Sequence, residues 1–288
     1  MPAEGLPPID KRQVRRAFER AAAGYDEVAV LQRETARRLL QRLDYIQHAP
    51  RSILDVGAGT GEATLALARR YPKARTIALD FALAMLQRAR RRGPWRRRLR
   101  CLCGDAERLP LADRSVDLIF SNAALQWCND LDEVFREFLR VLSPGGLLMF
   151  STYGPDTLRE LRESWAVVDG ASHVSPFVDL HDIGDAMLRA GLADPVVDVD
   201  RMQLSYATVG ELMRDLKTLG AHNVTRQRPR GLTGKGQLRA MGEAYEGFRR
   251  DGRLPASYEV VYGHAWAPLQ RTRDGVTSIP LESLRRRP

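Results

Sequence analysis

The sequence predicts an α/β fold built on a seven-stranded, mostly parallel sheet. From residue 52 onward, short apolar runs alternate with amphipathic helical segments, which is the pattern of a doubly wound sheet. A glycine-rich turn follows the first apolar run, and the second run ends in an acidic residue. No stretch approaches the roughly 20 apolar residues that a membrane-spanning helix requires, so we expect no membrane association.

The glycine-rich turn has the pattern of a site for an adenosyl ligand. Residues 53–61 read ILDVGAGTG, and the glycines are Gly57, Gly59 and Gly61. Because glycine has no Cβ, the backbone here can approach a ligand closely. Asp80 ends the second predicted strand, where a carboxylate can accept hydrogen bonds from both ribose hydroxyls. These features together predict a Rossmann-like domain.

The spacing of the turn favours S-adenosylmethionine over a dinucleotide. Asp55 stands two positions before the first glycine, where its carboxylate can meet the ammonium group of a methionine moiety. The nicotinamide fingerprint usually has no acid there, and its third glycine comes three residues after the second. Here Gly61 follows Gly59 by only two positions. The alternative, in which Asp55 caps the turn and Asp80 merely ends a strand, remains open.

The elements of the predicted sheet follow in a regular order. The predicted strands are 53–56, 75–80, 99–103, 116–121, 147–152, 196–204 and 257–267. The predicted helices of this repeat are 61–70, 82–92, 130–141 and 180–190. The turn at 143–146, Ser-Pro-Gly-Gly, ends the third of these helices, and it is typical of adenosylmethionine methyltransferases. The fold class predicted is therefore that of the class I methyltransferases.

Several segments lie outside this repeat. Residues 1–48 contain two amphipathic helices, interrupted at Gly-Tyr-Asp, and are predicted to cap the cofactor pocket. Residues 49–268 form the predicted methyltransferase domain, with unusually long connections at about 153–178 and 207–253. Insertions there lie over the carboxyl ends of the strands, so we expect both to form a lid. Residues 269–288 form a basic tail.

Side chains after strands three and four complete the predicted cofactor site. Asp105 can accept a hydrogen bond from the adenine amino group, with the Ala106 backbone beside it. Asn122 lies at the methionine end of the ligand, and Trp127 can wall the pocket. The alternatives are that Asp105 N-caps a turn and that Trp127 belongs to the ordinary core.

Charge and cysteine content restrict the class of partner and the compartment. The net charge is +9, and eight arginines without an acid lie between Arg88 and Arg100. This arginine cluster is either solvated surface or a docking patch for an acidic partner. Cys101, Cys103 and Cys128 fit a reducing compartment, and the N-terminus lacks a signal-peptide core, so we expect a cytoplasmic enzyme. The cysteines and the five histidines show no ligand spacing, so we expect no metal.

Segments outside the glycine turn carry a resemblance to one family. They are residues 17–26 (AFERAAAGYD), 31–33 (LQR), 125–128 (LQWC), 212–221 (LMRDLKTLGA), 232–233 with 237–238, and 255–260 (PASYEV). On these segments, and over nearly its whole length, the chain resembles the malonyl-[acyl-carrier protein] O-methyltransferases of biotin synthesis. The glycine turn identifies only the superfamily. The arginine cluster and the tail after Pro268 depart from the family pattern.

The resemblance implies transfer of a methyl group from S-adenosylmethionine to the free carboxylate of a malonyl thioester on an acyl carrier protein. That carboxylate is ionised at pH 7, so no general base is needed, and catalysis depends on alignment in a dry site. The residues to look for are those that hold an anion. Tyr25 of the cap can donate a hydrogen bond, whereas Lys217 and, less directly, Arg214 of the lid are cations. Core packing for Tyr25 and a solvated lysine for Lys217 are the alternatives.

An acidic carrier protein would suit a basic enzyme surface, and we expect the enzyme to be a monomer. Candidate docking residues are the arginine cluster and, in the lid, Arg226, Arg228, Arg230 and Lys235. The sequence leaves open which of them touches the carrier. It also leaves open whether malonyl-coenzyme A can replace the carrier-bound substrate.

Three other hypotheses remain open. The C-terminal half, at residues 174–177 and 211–213, also resembles methyltransferase-like assembly factors of respiratory complex I, which implies a protein-modifying role such as arginine hydroxylation. The positive charge alone would suit a nucleic-acid methyltransferase, but no nucleic-acid motif accompanies it, so we expect no nucleic-acid partner. The third hypothesis is a methyltransferase that acts on another small carboxylate or on a carbon atom.

Overall fold

The computed structural model describes residues 7–93, 99–221, 223, 225 and 233–269. The strands are β1 (Ser52–Val56), β2 (Arg75–Asp80), β3 (Arg100–Cys103), β4 (Val116–Asn122), β5 (Leu142–Tyr153), β6 (Ala193–Tyr206) and β7 (Leu254–Trp266). The helices are α1 (Lys11–Ala21), α2 (Tyr25–Val28), α3 (Val30–Arg42), α4 (Glu62–Arg70), α5 (Leu83–Arg92), α6 (Leu131–Val141), α7 (Arg159–Ala166), α8 (Leu180–Arg189), α9 (Val209–Thr218) and α10 (Lys235–Glu246). Short 3₁₀ helices occupy Leu43–Tyr45 and Leu125–Trp127.

All seven strands form one sheet in the order β3-β2-β1-β4-β5-β7-β6. The pairs among β1 to β5 are parallel, and β7 runs antiparallel to both of its neighbours. The prediction of a seven-stranded, mostly parallel sheet is therefore confirmed. From β1 the chain adds β2 and β3 on one side and β4 and β5 on the other, so a topological switch point lies between β1 and β4. Sheets of this type bind ligands at the carboxyl ends of the strands beside the switch point.

The sheet has a hydrophobic core on each face. Successive residues of a strand point to opposite faces, so Ile53 joins one core and Leu54 the other. Residues 53–56 of β1 are buried, which is why this strand reads as a continuous apolar run. Leu39 of α3 packs in the first core, and Phe138 of α6 packs in the second. The central strands are thus fixed from both sides, and their carboxyl ends are held in place.

The N-terminal segment differs in detail from the prediction. The predicted break at residues 24–26 contains one helical turn, α2, and Ala29 separates this turn from α3. Asp10 begins α1, because its side chain accepts hydrogen bonds from the backbone of Arg12 and Gln13. The three helices therefore pack as separate pieces: α1 packs against α5, whereas α3 packs against α4, β4 and β5.

The strands at one end of the sheet are longer than predicted. β5 begins at Leu142, because the Ser-Pro-Gly-Gly turn is incorporated into the strand with a register shift opposite Val116 and Leu118. β6 and β7 pair antiparallel as far as Tyr206 and Leu254. Backbone pairing with a neighbour extends these strands beyond their apolar patterns, which is a long-range effect that local sequence does not specify.

The two long connections contain helices that pack together. The connection after β5 contains α7, and residues 207–253 contain α9 and α10. α10 packs against α7, and α9 packs against α2 and β6. No helix in the described parts of the chain is long and apolar enough to cross a membrane. Outside the described residues lie 94–98 of the arginine cluster, Arg226, Arg228 and Arg230, and all of the tail except Leu269.

Candidate active site

The glycine turn folds over the carboxyl end of β2. The backbone N–H groups of Gly57 and Ala58 donate to the carbonyl of Leu79, at 2.8 and 2.9 Å. Gly57 and Gly59 have φ values of +71° and +54°, in a region that residues with a Cβ rarely adopt. A Cβ on Gly57 would lie 2.3 Å from the Cβ of Ala124, whereas one on Gly59 would meet nothing within 4 Å. Gly57 thus allows a close backbone approach, and Gly59 faces open space.

Gly61 has a different role in the structure from its neighbours. It is the N-cap of α4, with a φ of +84°. A Cβ there would lie 2.7 Å from the Cβ of Ala89 in α5. Gly61 does not line the cavity formed by the rest of the turn. Its absent side chain lets α4 approach α5, which is packing rather than direct ligand contact.

Two acids lie buried at the ends of β1 and β2. Asp80 is 6% exposed, and its Oδ2 and Oδ1 accept hydrogen bonds from the backbone of Gly59 (2.9 Å) and Ala82 (2.8 Å). Burial raises the pKa of Asp80 to about 6. Asp55 is 1% exposed and accepts a hydrogen bond from Thr64 Oγ1. Burial raises the pKa of Asp55 to about 7, and this side chain does not line the cavity.

Neither buried acid has an arginine, lysine or histidine as an ion-pair partner among the described residues. Ionised carboxylates in such surroundings are stabilised by a nearby positive charge. S-adenosylmethionine carries positive charges on its sulfonium and ammonium groups and a negative charge on its carboxylate. Asp80, which lines the cavity and can accept from ribose hydroxyls, and Gly59, whose missing side chain leaves open space, fit this ligand.

The cofactor cavity lies at the carboxyl ends of β1 to β4. Seven of the nine residues predicted to bind the cofactor line it: Gly57, Gly59, Asp80, Asp105, Ala106, Asn122 and Trp127. Tyr25 lines the same cavity. Burial, together with the charges of Asp80 and Asp26, raises the pKa of Tyr25, so its hydroxyl stays neutral at pH 7. The structure thus brings the predicted residues together, with Asp55 and Gly61 behind the cavity wall.

Helix α1 contributes a residue that the sequence did not predict for the site. Lys11 lines the cofactor cavity, and its Nζ lies 2.7 Å from both carboxylate oxygens of Asp105 and 2.6 Å from Glu107 Oε2. Burial opposes the charge of Lys11, but hydrogen bonds to these two acids outweigh it and raise its pKa. No local pattern marks Lys11, because its partners are far along the chain.

Aromatic contacts close the same side of the cavity. The ring of Phe18 in α1 meets Trp127 edge-on, with centroids 5.3 Å apart and an interplanar angle of 82°. Phe18 also lies 6.0 Å from the Phe81 ring and 6.5 Å from the Tyr25 ring. Trp127 therefore lines the cavity and packs against Phe18 of α1.

A second, larger cavity of about 960 Å³ lies between the end of α1, α7 and α9. Its lining is mainly apolar, and it includes the cations Arg20 and Lys217. Among the described residues, no aspartate or glutamate lines it. Arg214 is exposed on α9 and lines neither cavity. Of the three residues predicted to hold an anion, Lys217 lies in the large cavity and Tyr25 in the cofactor cavity.

The two cavities are neighbours, because Trp127 lines both. Asn122 of the cofactor cavity donates through Nδ2 to the backbone carbonyl of Gln32, at 3.0 Å. The side chain of Gln32 lines the large cavity, where its Oε1 is buried without a hydrogen-bond partner. Its Nε2 lies 3.5 Å from Tyr153 Oη. Gln32 thus stands between the cavities, and its only signal in the sequence is its place in the segment 31–33.

Comparison with solved structures supports the class that this geometry indicates. A putative methyltransferase from Bacillus halodurans superposes with a TM-score of 0.57 at 17% identity, covering 82% of this chain and 99% of that one. The [4+2]-cyclase SpnF superposes at 0.56 and 18% identity, covering 93% and 100%, so the likeness concerns the fold alone. Residues 54–150 match the family model described as a methyltransferase domain. Sheet order, glycine turn and buried acids define a class I methyltransferase that uses S-adenosylmethionine.

Curated relatives narrow this class. The malonyl-[acyl-carrier protein] O-methyltransferase of Methylovorus sp. is 51% identical over 279 residues, covering 94% of each chain. That of Halorhodospira halophila is 52% identical over 285 residues, covering 97% of each. The chain belongs to the malonyl-[acyl-carrier protein] O-methyltransferase family. The predicted family, fold and enzyme class are confirmed.

Among the described residues, no group of three or more histidine, cysteine, aspartate or glutamate side chains could hold a metal ion. The absence of a metal from the whole protein stays a prediction.

Proposed function

We propose that the protein transfers a methyl group from S-adenosylmethionine to the free carboxylate of a malonyl thioester on an acyl carrier protein. The product is a methyl ester that can enter fatty-acid-type elongation toward a pimeloyl thioester and biotin. One observation carries the proposal. The cofactor cavity shares the wall residue Trp127 with a large cavity that has cations and no carboxylate in its described lining. Such a cavity favours an anionic acceptor.

The donor side is formed by residues at the strand ends. Asp80 accepts hydrogen bonds from the ribose hydroxyls, Asp105 accepts from the adenine amino group, and the Ala106 backbone lies beside it. When bound, S-adenosylmethionine supplies a methyl group activated by its sulfonium. Asn122 is held by the Gln32 carbonyl and by Ser151 Oγ, which donates to Asn122 Oδ1 at 2.8 Å. A side chain fixed from two sides can orient the methionine end of the ligand toward the large cavity.

The acceptor side needs alignment rather than proton transfer. A carboxylate oxygen forms the new bond to the methyl carbon while the carbon–sulfur bond breaks, and its electron pair returns to sulfur. The charges of the carboxylate and the sulfonium cancel, so no proton moves and no general base is needed. Holding the two groups in line in a site that excludes water supplies up to about 7–11 kcal/mol in favourable cases.

We propose that three residues hold the acceptor. Lys217 lines the large cavity and attracts the carboxylate, and Tyr25 offers a neutral hydroxyl as a hydrogen-bond donor. The side chain of Gln32 lines the large cavity, and rotating its amide by half a turn lets Oε1 accept from Tyr153 and puts the NH₂ group where the buried, unpartnered Oε1 now lies. The two orientations of an amide are not distinguished by shape. In the second orientation Gln32 donates to an anion.

We further propose that the enzyme acts as a monomer in the cytoplasm, without a metal, a membrane or a nucleic-acid partner. The acidic acyl carrier is its proposed protein partner. The relatives at 49–53% identity that bear the malonyl methyltransferase name favour this function over an assembly-factor role.

The direct test is mass spectrometry of malonyl-loaded acyl carrier protein after incubation with the enzyme and S-adenosylmethionine. We expect a gain of one methyl group on the malonyl form and none on an acetyl-loaded carrier, which lacks the free carboxylate. Malonyl-coenzyme A and free malonate, assayed in parallel, show how far the carrier itself is required. No gain on any of them, with cofactor binding shown by calorimetry, would overturn the proposal in favour of a protein-modifying role.

A further inference from the structure

Helix α1 forms a wall common to both cavities. Lys11 and Phe18 line the cofactor cavity, whereas Ala17, Arg20 and Ala21 line the large one. The buried side of the helix is apolar and packs toward α5. Its outer side, in contrast, is exposed, and it ends at Arg20, which lines the large cavity. A partner that delivers a group into the large cavity therefore comes close to this outer side.

The outer side of α1 carries a stripe of positive charge. Arg12, Arg16 and Arg20 are exposed and follow one another at intervals of four residues, so they lie along one side of the helix. At 1.5 Å per residue the stripe is about 12 Å long. None of the three has an ion-pair partner among the described residues, whereas Arg15 between them pairs with Glu19 at 3.0 Å. The stripe is thus free to bind an anionic surface.

The stripe leads to the rim of the large cavity. Arg20, at its C-terminal end, lines that cavity. The end of α9 packs against the end of α1, because a Cβ on Gly220 would lie 3.2 Å from the Ala17 backbone. Lys217 on that part of α9 is exposed and lines the cavity as well. Positive charge therefore continues from the outer side of α1 to the cavity rim.

We propose that this α1 stripe, Arg12, Arg16 and Arg20, is the surface on which the acidic acyl carrier protein docks. The inference rests on the proposed function and adds the place where the carrier binds. A carrier seated on the stripe has its thioester arm at the rim beside Arg20, with the acyl end directed into the cavity. Complementary charge of this kind raises the association rate and fixes the orientation of the partner.

The α1 stripe fits this role better than the arginine cluster. Arg88, Arg90 and Arg91 on α5 are exposed, but none of them lines the large cavity. Arg92 is held inside the protein surface by an ion pair with Asp26 and by a hydrogen bond to the Thr60 carbonyl. A carrier docked on α5 would have to reach the cavity around α1.

The test compares three double charge reversals of the full-length enzyme. Arg12→Glu/Arg16→Glu changes the stripe but leaves Arg20, which lines the cavity. Arg69→Glu/Arg75→Glu is the matched control, with the same charge change at exposed positions that line neither cavity. Arg75 begins β2, about 16 Å along the strand from Asp80. Arg88→Glu/Arg91→Glu tests the α5 alternative.

Each variant is assayed with two acceptors, malonyl-carrier and the small neutral-tailed thioester malonyl-N-acetylcysteamine. We expect the stripe variant to raise the KM for the carrier about tenfold and to weaken its salt dependence, because attraction becomes repulsion. Its turnover of the small thioester should stay within about twofold of wild type. The control variant should stay within about twofold of wild type with both acceptors. The α5 variant should raise the KM for the carrier less than the stripe variant does.

Direct binding separates this inference from the proposed function. Anisotropy of fluorescently labelled malonyl-carrier measures affinity without turnover, and we expect the stripe variant to lose about tenfold, more than the α5 or the control variant. Equal carrier affinity in the stripe and control variants would overturn the docking proposal, whatever their activity. Equal loss on both thioesters would also overturn it, because that result means damage to the cavity. Wild-type binding without methylation of either thioester would instead contradict the proposed function.

Discussion

Lys11 Nζ lies 2.7 Å from both carboxylate oxygens of Asp105. The first residue of α1 is thereby joined to the acid predicted to accept the adenine amino group, across 94 residues of sequence. Each carboxylate oxygen has more than one lone pair, so Asp105 can hold Lys11 and a ligand together. Asp105 thus joins helix α1 to the part of the cofactor cavity predicted to hold adenine.

Replacing Lys11 with methionine should weaken binding of S-adenosylhomocysteine by roughly threefold to tenfold. The ion pair is partly exposed, so its loss is worth about 1 kcal/mol or slightly more. Isothermal titration calorimetry measures the affinity, and Arg12→Met is the control on the same helix, since Arg12 lines neither cavity. Tighter binding in Lys11→Met would mean that Lys11 competes with adenine, which contradicts this account.

Affinity for S-adenosylhomocysteine should rise as the pH rises from about 5 to about 7. Burial raises the pKa of Asp80 to about 6, and ribose hydroxyls donate to its ionised form. Deprotonation therefore favours binding, and the affinity levels off once Asp80 is ionised. Calorimetry across this range gives the profile. Asp80→Asn should bind weakly with a flatter profile, and an unchanged pH dependence in that variant would remove Asp80 as its source.

The unliganded protein should lose stability over a similar pH range. The folded-state pKa values of Asp55 and Asp80, about 7 and about 6, lie above the ordinary value of 3.8. Between about pH 4 and pH 7 the unfolded chain has released these protons while the folded chain retains them. The free energy of unfolding therefore falls as the pH rises through this interval. Chemical denaturation of wild type and of Asp55→Asn measures it, and the variant should lose less.

Alanine at Gly57 should destabilise the protein more than alanine at Gly59. Both positions have positive φ, which costs about 1–2 kcal/mol in a residue with a Cβ. At Gly57 the new methyl also clashes with Ala124, adding roughly 1–3 kcal/mol. Thermal unfolding should therefore show a larger fall in Tm for Gly57→Ala, with about 2 °C or more per kcal/mol. Gly59→Ala should lose cofactor affinity instead, and equal Tm values would contradict the assignment.

Lys217→Ala should raise the KM for the malonyl thioester several-fold and change kcat less. Lys217 is exposed at the cavity, so its attraction for the carboxylate is screened and contributes about 1 kcal/mol. Arg214→Ala removes the same charge from the same helix but outside both cavities, so its effect should be smaller. Steady-state kinetics with both variants compare them. Equal effects would mean that Lys217 contributes only to the overall positive potential of the protein surface.

Gln32→Glu should lower kcat/KM for the malonyl thioester at least about tenfold, because it places a second carboxylate beside the first. S-adenosylhomocysteine affinity should change little, since the backbone carbonyl that holds Asn122 is retained. Gln41→Glu is the matched control, an exposed position on the same helix. Wild-type kinetics in Gln32→Glu would remove this residue from the acceptor site.

The sequence by itself determined the sheet, the family and most of the cofactor cavity. Apolar runs, the glycine turn and the acids at the ends of β1 and β2 are local patterns, and parallel strands bring their carboxyl ends to one edge. Gly57, Gly59 and Asp80 could therefore be placed without a structure. The family prediction rested on segments such as 17–26 and 212–221. Their residues can be read from the sequence, but their contacts cannot.

Only the tertiary structure decided which side chains meet across distant segments. It joined Lys11 to Asp105, placed Gln32 between the cavities, and put Lys217 rather than Arg214 in the large cavity. It also assigned Gly61 to the contact between α4 and α5. These facts depend on how α1, α3, α7 and α9 pack against the other helices and against the sheet. Such packing is set by long-range burial, which leaves no periodic signal in the sequence around any one residue.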